Sequence, residues 1–508
     1  MALLLGLDFG TGGVRVGIFD LERGIVIGER EASYPTHYPR QGWAEQSPDD
    51  WWAALGDATR GLMRDVGSPE IAGLCAATTA STVVACRRDG RALRPALLWM
   101  DCRAVEEAGR TARSKHPVMA YPGGSDASEW LVPKAMWLAA HEPEVYNQAE
   151  IICECLDYVN FKLTGLWVGS RMNATCKWNY DSVEKKFHDG LFSEFGVPDL
   201  SAKLPSQIYA VGAPIAHLSI NAMQHLGLSN CPVVAQGGID AHIGMVGAGT
   251  LSPGELLMIG GTSVVHLFHL PEQKEVSGFW GPYPHALIDD HWLVEAGQVS
   301  AGSVLSWFSG AMFDMDSAAF EALLSEAETF EVGGTGLLTL DYFMGNRTPY
   351  RDPLLRGAIV GLTLGHSRAA LYRSAVEGVA LATAHVLQRM GELGVVCNRI
   401  VSAGGQVKNR LWLRATVDAI GIPMQLPKNA NLTIIGTVAC AAAGAGLVKD
   451  LYEAAKAVAQ PVITIEPDMA AHAKYQALLR DYQDLTAALT PISHKLAARQ
   501  LEGKSHVG

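Results

Sequence analysis

The sequence has little that would attract a polyanion or a lipid bilayer. Its 508 residues carry a formal net charge of -12, and lysine and arginine form no block. A chain without a basic patch lacks the electrostatic footprint of a nucleic-acid binder, so we expect no nucleic-acid partner. The longest apolar run, residues 433–448, is too short to span a membrane and is rich in small residues. We therefore expect no membrane partner, and the run predicts a closely packed buried helix.

Paired cysteines and a leader segment are also missing. The nine cysteines are scattered, odd in number and contain no C-x-x-C pair, which is typical of a reduced protein with buried thiols. Cys153 and Cys155 are predicted on the same face of one strand, and a metal site there would need two further ligands that are not evident. The N-terminus lacks a basic leader and reads as a strand, so we expect a cytoplasmic protein.

What the chain does contain favours an α/β enzyme. Hydrophobic residues make up 48% and there are 53 glycines, which suits compact domains with many tight turns. In the first half, strands are predicted over 2–9, 13–20 and 24–34, followed by a helix with Ser47 as its N-cap and Pro48 in its first turn. The length predicts two or three domains.

The second half repeats this layout. Strands are predicted near 256–260 and 263–269, followed by a long helix from Ser367 to about Leu393. Glycine and proline punctuate the middle of the chain, which places a domain boundary near residue 250. We therefore expect two similar domains, 1–249 and 250–508, with a cleft between them.

The repeat includes one unusual feature, a glycine-rich turn between two apolar strands. It occurs in "LGLDFGTGGVRVGIFD" at 5–20 and again in "LLMIGGTSVVHLFHL" at 256–270. Small side chains let backbone amides approach an anion, so two such turns could hold the phosphates of a nucleoside triphosphate from both sides. An ordinary tight turn is the alternative for either stretch alone.

Other residues near these turns suit the same ligand. Asp8 could hold a hydrated metal ion that accompanies ATP, or only cap the turn. Arg15 on the return strand could reach the phosphates or be a solvated arginine. Gly404 and Gly405 lie between a strand and a helix and could accept a flat base such as adenine, with Asn409 bonding its edge.

Together these stretches resemble the FGGY carbohydrate kinases of the actin-like ATPase superfamily. The resemblance runs from "GLDFGTGGVRVGIFD" through "GGIDAHIGMVGAG", "EAGQVSAGSVLSWF" and "GNRTPYRDPLLRGAIVGL" to "SAGGQVKNRLWLRATVDAIGIPM". It implies an α/β protein with the actin-like ATPase (ribonuclease H-like) fold, two duplicated domains and an interdomain catalytic cleft. "TTASTVVACRRDGRALRPALLWMDCRA" and "GGSDASEWLVPKAMWL" are most similar to the ribulokinase-like branch, whose members phosphorylate ketopentoses.

The resemblance also implies roles for individual residues. Asp240 matches the catalytic base. The positions that match phosphate contacts are Thr11, Gly12, Gly261 and Thr262. The positions that match nucleotide contacts are Gly302, Gly404, Gly405 and Asn409. The positions that match sugar contacts are Ala80, Lys134, Asp240 and Glu295. Two positions depart from the family pattern, since Ala77 replaces an aspartate usual in ribulokinases and Ser306 replaces a frequent glutamine.

The residues themselves suit phosphoryl transfer to an alcohol. A sugar hydroxyl is a poor nucleophile at neutral pH, so a carboxylate that accepts its proton assists the reaction. Asp240 follows two glycines that should leave space beside its carboxylate, and it precedes a helix whose dipole should keep it ionised. It could alternatively be a helix cap. His242 is a rival base or a structural histidine.

Sugar recognition has candidates of both charges. Lys134 lies in an apolar helix, where it either binds sugar hydroxyls or extends to solvent. Glu295 at a strand end raises the same alternatives, and the ring of Trp99 or Trp130 could lie along the carbon chain of the sugar.

We therefore expect a cytoplasmic kinase that uses ATP and Mg²⁺ and acts on a ketopentose, with ribulose favoured and xylulose or another polyol as the alternative. An ATP-driven protein of the actin or chaperone kind and a catalytically silent sugar-binding regulator are the rival hypotheses. The oligomeric state stays open, with a homodimer common in the family.

Overall fold

A computed structural model describes residues 2–429 and 431–505, with side chains up to residue 500, and most strands belong to two large sheets. The strands are β1 (Leu3–Phe9), β2 (Gly13–Asp20), β3 (Ile25–Ser33), β4 (Glu45–Gln46), β5 (Gly73–Thr78), β6 (Val83–Cys86), β7 (Ala96–Leu97), β8 (Ile151–Glu154), β9 (Val168–Ser170), β10 (Gln207–Tyr209), β11 (Pro214–His217), β12 (Val233–Ala235), β13 (Glu255–Gly260), β14 (Val264–Leu270), β15 (Trp280–Pro284), β16 (Trp292–Gln298), β17 (Leu338–Leu340), β18 (Ala358–Val360), β19 (Arg399–Gly404), β20 (Met424–Pro427) and β21 (Val462–Ile465).

Helices cover both faces of these sheets. They are α1 (Pro48–Val66), α2 (Val105–Thr111), α3 (Leu131–His141), α4 (Pro143–Gln148), α5 (Cys155–Thr164), α6 (Arg171–Lys177), α7 (Asp189–Glu194), α8 (Leu200–Lys203), α9 (Ile220–Leu226), α10 (Asp240–Ala248), α11 (Gly302–Trp307), α12 (Ser317–Ala327), α13 (Arg368–Glu392), α14 (Arg410–Ile420), α15 (Leu432–Gly444), α16 (Leu451–Ala457) and α17 (Met469–Ser505).

The two large sheets share one plan. The first has the order β11-β12-β5-β1-β2-β3, with β1 antiparallel to β2 and parallel to β5. The second has the order β15-β16-β14-β13-β19-β20-β21, with β13 antiparallel to β14 and parallel to β19. Each sheet thus begins with a hairpin whose first strand also pairs with a parallel strand. The duplication predicted from the sequence is confirmed at this level.

Two helices cross closely between the sheets. Helix α15 packs against β1 and β5 of the first sheet and also against α10. At the crossing, a Cβ added to Gly436 would lie 2.0 Å from the carbonyl oxygen of Ile243, and one added to Gly247 would lie 2.1 Å from that of Leu432. The two backbones therefore touch. The buried helix predicted from the small-residue run is confirmed.

The predicted division at residue 250 stays a prediction. Helix α15 comes from the second half of the chain but covers strands of the first half, so sequence halves and spatial neighbours do not coincide here. The C-terminal helix α17 packs on α13 and α14. Within residues 2–429 and 431–505, none of the helices combines the length and apolarity that crossing a bilayer requires.

One local prediction is wrong, and another is confirmed in position only. Cys153 lies on β8, but Cys155 begins α5, because Glu154 and Asp157 form a capping box that starts a helix at that point. The two thiols therefore do not share a strand face. Ser47 occupies the N-cap position of α1, yet its side chain makes no capping hydrogen bond.

The crossing of α10 and α15 predicts that Gly436→Ala destabilises the protein. Alanine is the better helix former by up to about 1 kcal/mol, but overpacking against a backbone carbonyl costs about 1–3 kcal/mol. We expect a lower Tm in thermal unfolding. Gly391→Ala in α13 is the matched control, because a Cβ there meets nothing within 4 Å. A Tm for Gly436→Ala at or above that of Gly391→Ala would contradict the close crossing.

Candidate active site

The first glycine-rich turn is held from beneath by three side chains. The Tyr34 hydroxyl donates to the carbonyl oxygens of Gly10, at 2.5 Å, and Gly13, at 3.0 Å. Gln46 Nε2 donates to the Thr11 carbonyl at 2.7 Å, and Trp99 Nε1 donates to the Thr11 hydroxyl at 2.9 Å. The carbonyl groups of the turn are thus occupied. The backbone amides of Thr11 and Gly12 have no acceptor among the described residues.

The second glycine-rich turn also has occupied carbonyl groups and free backbone amides. The carbonyl oxygen of Thr262 accepts from the amides of Ala301 and Ser303, each at 3.1 Å, and that of Gly261 accepts from Gly302 at 3.1 Å. These bonds fix the turn to the start of α11. The amides of Thr262 and Ser263 find no acceptor in the described part of the chain. Each turn therefore offers two consecutive donors, which is the arrangement that binds anions.

Gly302 and Gly404 allow the second turn to pack closely. A Cβ on Gly302 would lie 2.3 Å from the Gly261 carbonyl oxygen, and one on Gly404 would lie 2.4 Å from that of Gly260. Gly404 also has a φ of +93°, a backbone conformation that residues other than glycine rarely adopt. Both residues support the turn from behind, whereas Gly405 is exposed.

A cavity of about 350 Å³ opens beside this turn. It collects residues that the sequence predicted as nucleotide contacts, together with Ser306 and an aromatic wall. Its lining includes Gly261, Thr262, Gly302, Gly405, Asn409, Ser306, Tyr372 and Trp412.

Asn409 is partly engaged in the fold. Its Oδ1 accepts from the Trp412 amide at 3.1 Å, which caps α14, and its Nδ2 donates to the Tyr372 hydroxyl at 3.0 Å. A carboxamide has two N–H donors and two acceptor lone pairs, so one of each remains for a base edge.

Two half-buried carboxyl groups lie by the first turn. Burial and, to a smaller extent, the nearby charge of Asp240 together raise the pKa of Asp8 to about 7, while Arg15 opposes the shift. Arg15 Nη1 lies 3.8 Å from Asp8 Oδ2. Burial likewise raises the pKa of Asp240 to about 6. We expected the helix dipole to keep Asp240 ionised, but loss of solvent outweighs the hydrogen bond that its carboxylate accepts from the Ala241 amide.

The backbone before Asp240 is held tightly. A Cβ on Gly237 would lie 1.8 Å from the Ala76 carbonyl oxygen, and one on Gly238 would lie 2.5 Å from Met172 Sδ. Atoms of β5 and α6 therefore fill the positions where side chains of these two residues would lie, and open space beside the Asp240 carboxylate stays a prediction. The Thr433 hydroxyl donates to the Asp240 carbonyl at 3.3 Å. Asp240 is the first residue of α10, and the N-cap position belongs to Ile239.

A second polar cluster joins α6, α10 and β16. Lys177 Nζ lies 3.0 Å from Glu295 Oε1, and His242 Nε2 lies 2.9 Å from the same oxygen. Burial alone would raise the pKa of Glu295, but Lys177 and His242 outweigh it and hold that pKa far below its usual range. Lys177 Nζ also lies over the Trp130 ring, 4.5 Å from its centroid. His242, predicted as a rival base, is a partner of this carboxylate.

Lys134 is outside both clusters, and neither expectation for it fits its environment. It is completely buried, and its ammonium donates to the carbonyl oxygens of Ser81, at 2.8 Å, and Leu98, at 2.5 Å. Burial lowers its pKa to about 7. Lys134 ties two loops together and reaches neither solvent nor the cleft. Ala80 is half-buried and packs against the apolar cluster that contains Trp130 and Cys176.

Sequence reasoning missed Lys177, Tyr34 and Gln46. Lys134 was selected because it lies in an apolar helix, a criterion that Lys177 in "NATCKWNY" does not meet. Pairing with Glu295 across 118 positions could not be read from spacing. Tyr34 and Gln46 carry no local signal, because their partners are backbone carbonyls of a turn more than twenty residues away.

Comparison with known proteins agrees with the geometry. Residues 3–247 match the N-terminal domain, and residues 256–445 the C-terminal domain, of the FGGY family of carbohydrate kinases. The chain is 30% identical to an FGGY carbohydrate kinase domain-containing protein of Xenopus laevis, with 89% of this chain and 90% of that protein covered. It is 28% identical to a ribulokinase of Shouchella clausii (strain KSM-K16), with 95% of this chain and 94% of that protein covered.

A solved structure shows the same architecture. The crystal structure of a protein titled a xyloylose kinase from Brucella ovis superposes with a TM-score of 0.87 at 25% identity, covering 96% of this chain and all (100%) of the other. The expected actin-like ATPase fold with two α/β domains is thereby confirmed. By its two domain matches and its fold, the chain belongs to the FGGY family of carbohydrate kinases.

Proposed function

We propose that the protein transfers the terminal phosphoryl group of ATP to a primary hydroxyl of a ketopentose, with ribulose favoured and xylulose as the alternative. Its family membership makes it a phosphotransferase with an alcohol acceptor. A ribulokinase and a xyloylose kinase among the relatives support a pentulose as that alcohol. The observation that carries the proposal is the pair of turns, each with two free amides, in a fold that also buries an acid at Asp240.

The two turns are the proposed phosphate contacts. Four unpaired amides, of Thr11, Gly12, Thr262 and Ser263, supply donors without any net charge, so a chain with a formal charge of -12 can still bind a polyanion. The base would occupy the cavity beside Asn409 and Trp412, whose volume of about 350 Å³ suits a nucleoside.

Asp240 is the proposed general base. A carboxylate with a pKa raised to about 6 is mostly ionised at neutral pH and is a stronger proton acceptor than an ordinary aspartate. It would take the proton of the attacking hydroxyl as the bond between the sugar oxygen and the terminal phosphorus forms. The bond between that phosphorus and ADP would break, and ADP would be the leaving group.

Asp8 is the proposed partner of the Mg²⁺ that accompanies ATP. Carboxylate oxygens are preferred magnesium ligands, and the pKa of Asp8 is raised by burial and by Asp240 although Arg15 lies nearby. A magnesium ion held there through water would supply positive charge and neutralise the phosphates.

Lys177 and Glu295, with His242, form the proposed sugar-recognition group, in place of Lys134. The Lys177 ammonium donates hydrogen bonds and the Glu295 carboxylate accepts them. The pair can therefore donate to one sugar hydroxyl and accept from the neighbouring one. The ring of Trp130 beside Lys177 would contact the carbon chain. We further propose that the protein works in the cytoplasm and that a homodimer is its assembly.

An acceptor survey tests the function. ATP turnover should rise on addition of ribulose or xylulose and rise less with tetritols, pentitols or glycerol, because the sugar supplies the attacking hydroxyl. A coupled assay of ADP release measures this. Turnover that no sugar stimulates would favour the actin-like or chaperone-like ATPase hypothesis, and absent turnover under every condition would favour a silent regulator.

Asp240→Asn should lower kcat by about two to four orders of magnitude, the usual contribution of a positioned general base. The matched control is Asp341→Asn, because burial also raises the pKa of Asp341, to about 7, in a network with Tyr482 that lies outside the proposed site. The control should keep kcat within a few-fold of the wild type. Wild-type turnover in Asp240→Asn with its best acceptor would refute the assignment.

Lys177→Met should lower kcat/KM for the sugar by about 10–150-fold, since a hydrogen bond to a charged group contributes about 1.5–3 kcal/mol. KM for ATP should change much less. Lys203→Met is the control, because Lys203 also combines an ion pair with a contact over a tyrosine ring, but far from Glu295. Equal losses in both KM values would count against a sugar-binding role for Lys177.

A further inference from the structure

One cluster on α6, α10 and β16 combines a thiol, an imidazole and a carboxylate. The ligand atoms of Cys176, His242 and Glu295 all lie within 4.8 Å of one another. Cys176 and His242 are more than nine-tenths buried, and neither ring nitrogen of His242 makes a well-aligned hydrogen bond within the described residues. The proposed sugar-binding role accounts for Glu295 and Lys177 but gives Cys176 no task.

We propose that Cys176, His242 and Glu295 form a site for a zinc ion, and that zinc bound there excludes the sugar. The binding of zinc does not depend on the proposed function. Its inhibitory effect does, because it rests on Glu295 being a sugar contact.

The donor set and spacing fit zinc. Zinc binds sulfur, nitrogen and oxygen donors with bond lengths of about 2.0–2.3 Å, so neighbouring donors of a tetrahedral site lie about 3.3–3.7 Å apart. Bringing donors that already lie within 4.8 Å of one another to this spacing requires movements of about one ångström or less, within reach of side-chain rotation. Three protein ligands leave a fourth position for a water molecule.

Lys177 does not close the site. Its Nζ contacts both carboxylate oxygens of Glu295, at 3.0 and 3.3 Å, so it can stay on Oε2 when Oε1, the oxygen facing His242, binds the ion. Zinc binding converts the Cys176 thiol into a thiolate and releases its proton to solvent. The charge of the ion is then offset by this thiolate, by Glu295 and by the nearby carboxylate of Asp240, which already interacts with His242.

A second cluster provides a contrast. Asp181, Glu184 and His188 also bring three potential ligand atoms within 4.8 Å of one another. However, Asp181 Oδ1 already accepts from the amides of Val183, at 3.0 Å, and Glu184, at 2.9 Å, and the cluster contains no sulfur. It therefore lacks the soft ligand that distinguishes the Cys176 site.

Cobalt(II) titration of the full chain tests the binding. Co²⁺ replaces Zn²⁺ in such sites, and a thiolate ligand gives an ultraviolet charge-transfer band that oxygen and nitrogen ligands do not. We expect this band in the wild type, its loss on addition of Zn²⁺, and its absence in Cys176→Ser. Cys440→Ser, which removes another buried thiol, should retain it. A band that persists in Cys176→Ser would overturn the site.

Inhibition kinetics test whether bound zinc excludes the sugar. Zn²⁺ should raise the apparent KM for the sugar without lowering kcat. The Zn²⁺ concentration that gives half-inhibition should be at least about 10-fold higher for Cys176→Ser than for the wild type. The rate of each variant is divided by its own rate without metal. His242→Gln should weaken cobalt binding by a similar factor, which covers the case that Cys176→Ser does not fold. Cobalt binding at Cys176 without competition against the sugar would overturn the inhibition alone. Absent kinase activity with an intact cobalt band would instead count against the proposed function.

Discussion

The site depends on one close contact between backbones, the crossing of α10 and α15. Gly436 and Gly247 let the two helices touch, and Gly237 lets the chain before α10 pass directly over Ala76 in β5. These contacts fix the start of α10, where Asp240 lies, relative to the first sheet and its turn. A methyl group at any of the three glycines would separate elements that hold the candidate base in position.

The cleft has two electrostatic environments. By the first turn, burial raises the pKa values of Asp8 and Asp240, and the charge of Asp240 contributes to the shift at Asp8. At the second cluster, Lys177 and His242 outweigh burial and keep Glu295 ionised. In the proposed function, the first environment needs the cation that comes with the nucleotide, whereas the second is already balanced and suits a neutral sugar.

Local features could be predicted from the sequence, and distant pairings could not. The hairpin with the Gly10–Gly13 turn, the small-residue helix and the position of Asp240 at the start of α10 follow from short stretches of sequence. Lys134 was predicted from its apolar helix and Lys177 was missed, because only the fold decides which lysine meets Glu295. The hydrogen bonds from Tyr34 to the first turn could not be predicted either, because a tyrosine in the sequence does not indicate which distant carbonyl it will contact.

The position of α15 also affects how the chain is made. Strands β1 and β5 are complete by residue 78, but the helix that covers them begins at residue 432. During synthesis on the ribosome, an apolar face of the first sheet therefore stays uncovered while more than three hundred further residues are added. The nascent first half must avoid aggregation throughout this interval, and translation has to pass α15 before either sheet can be fully enclosed.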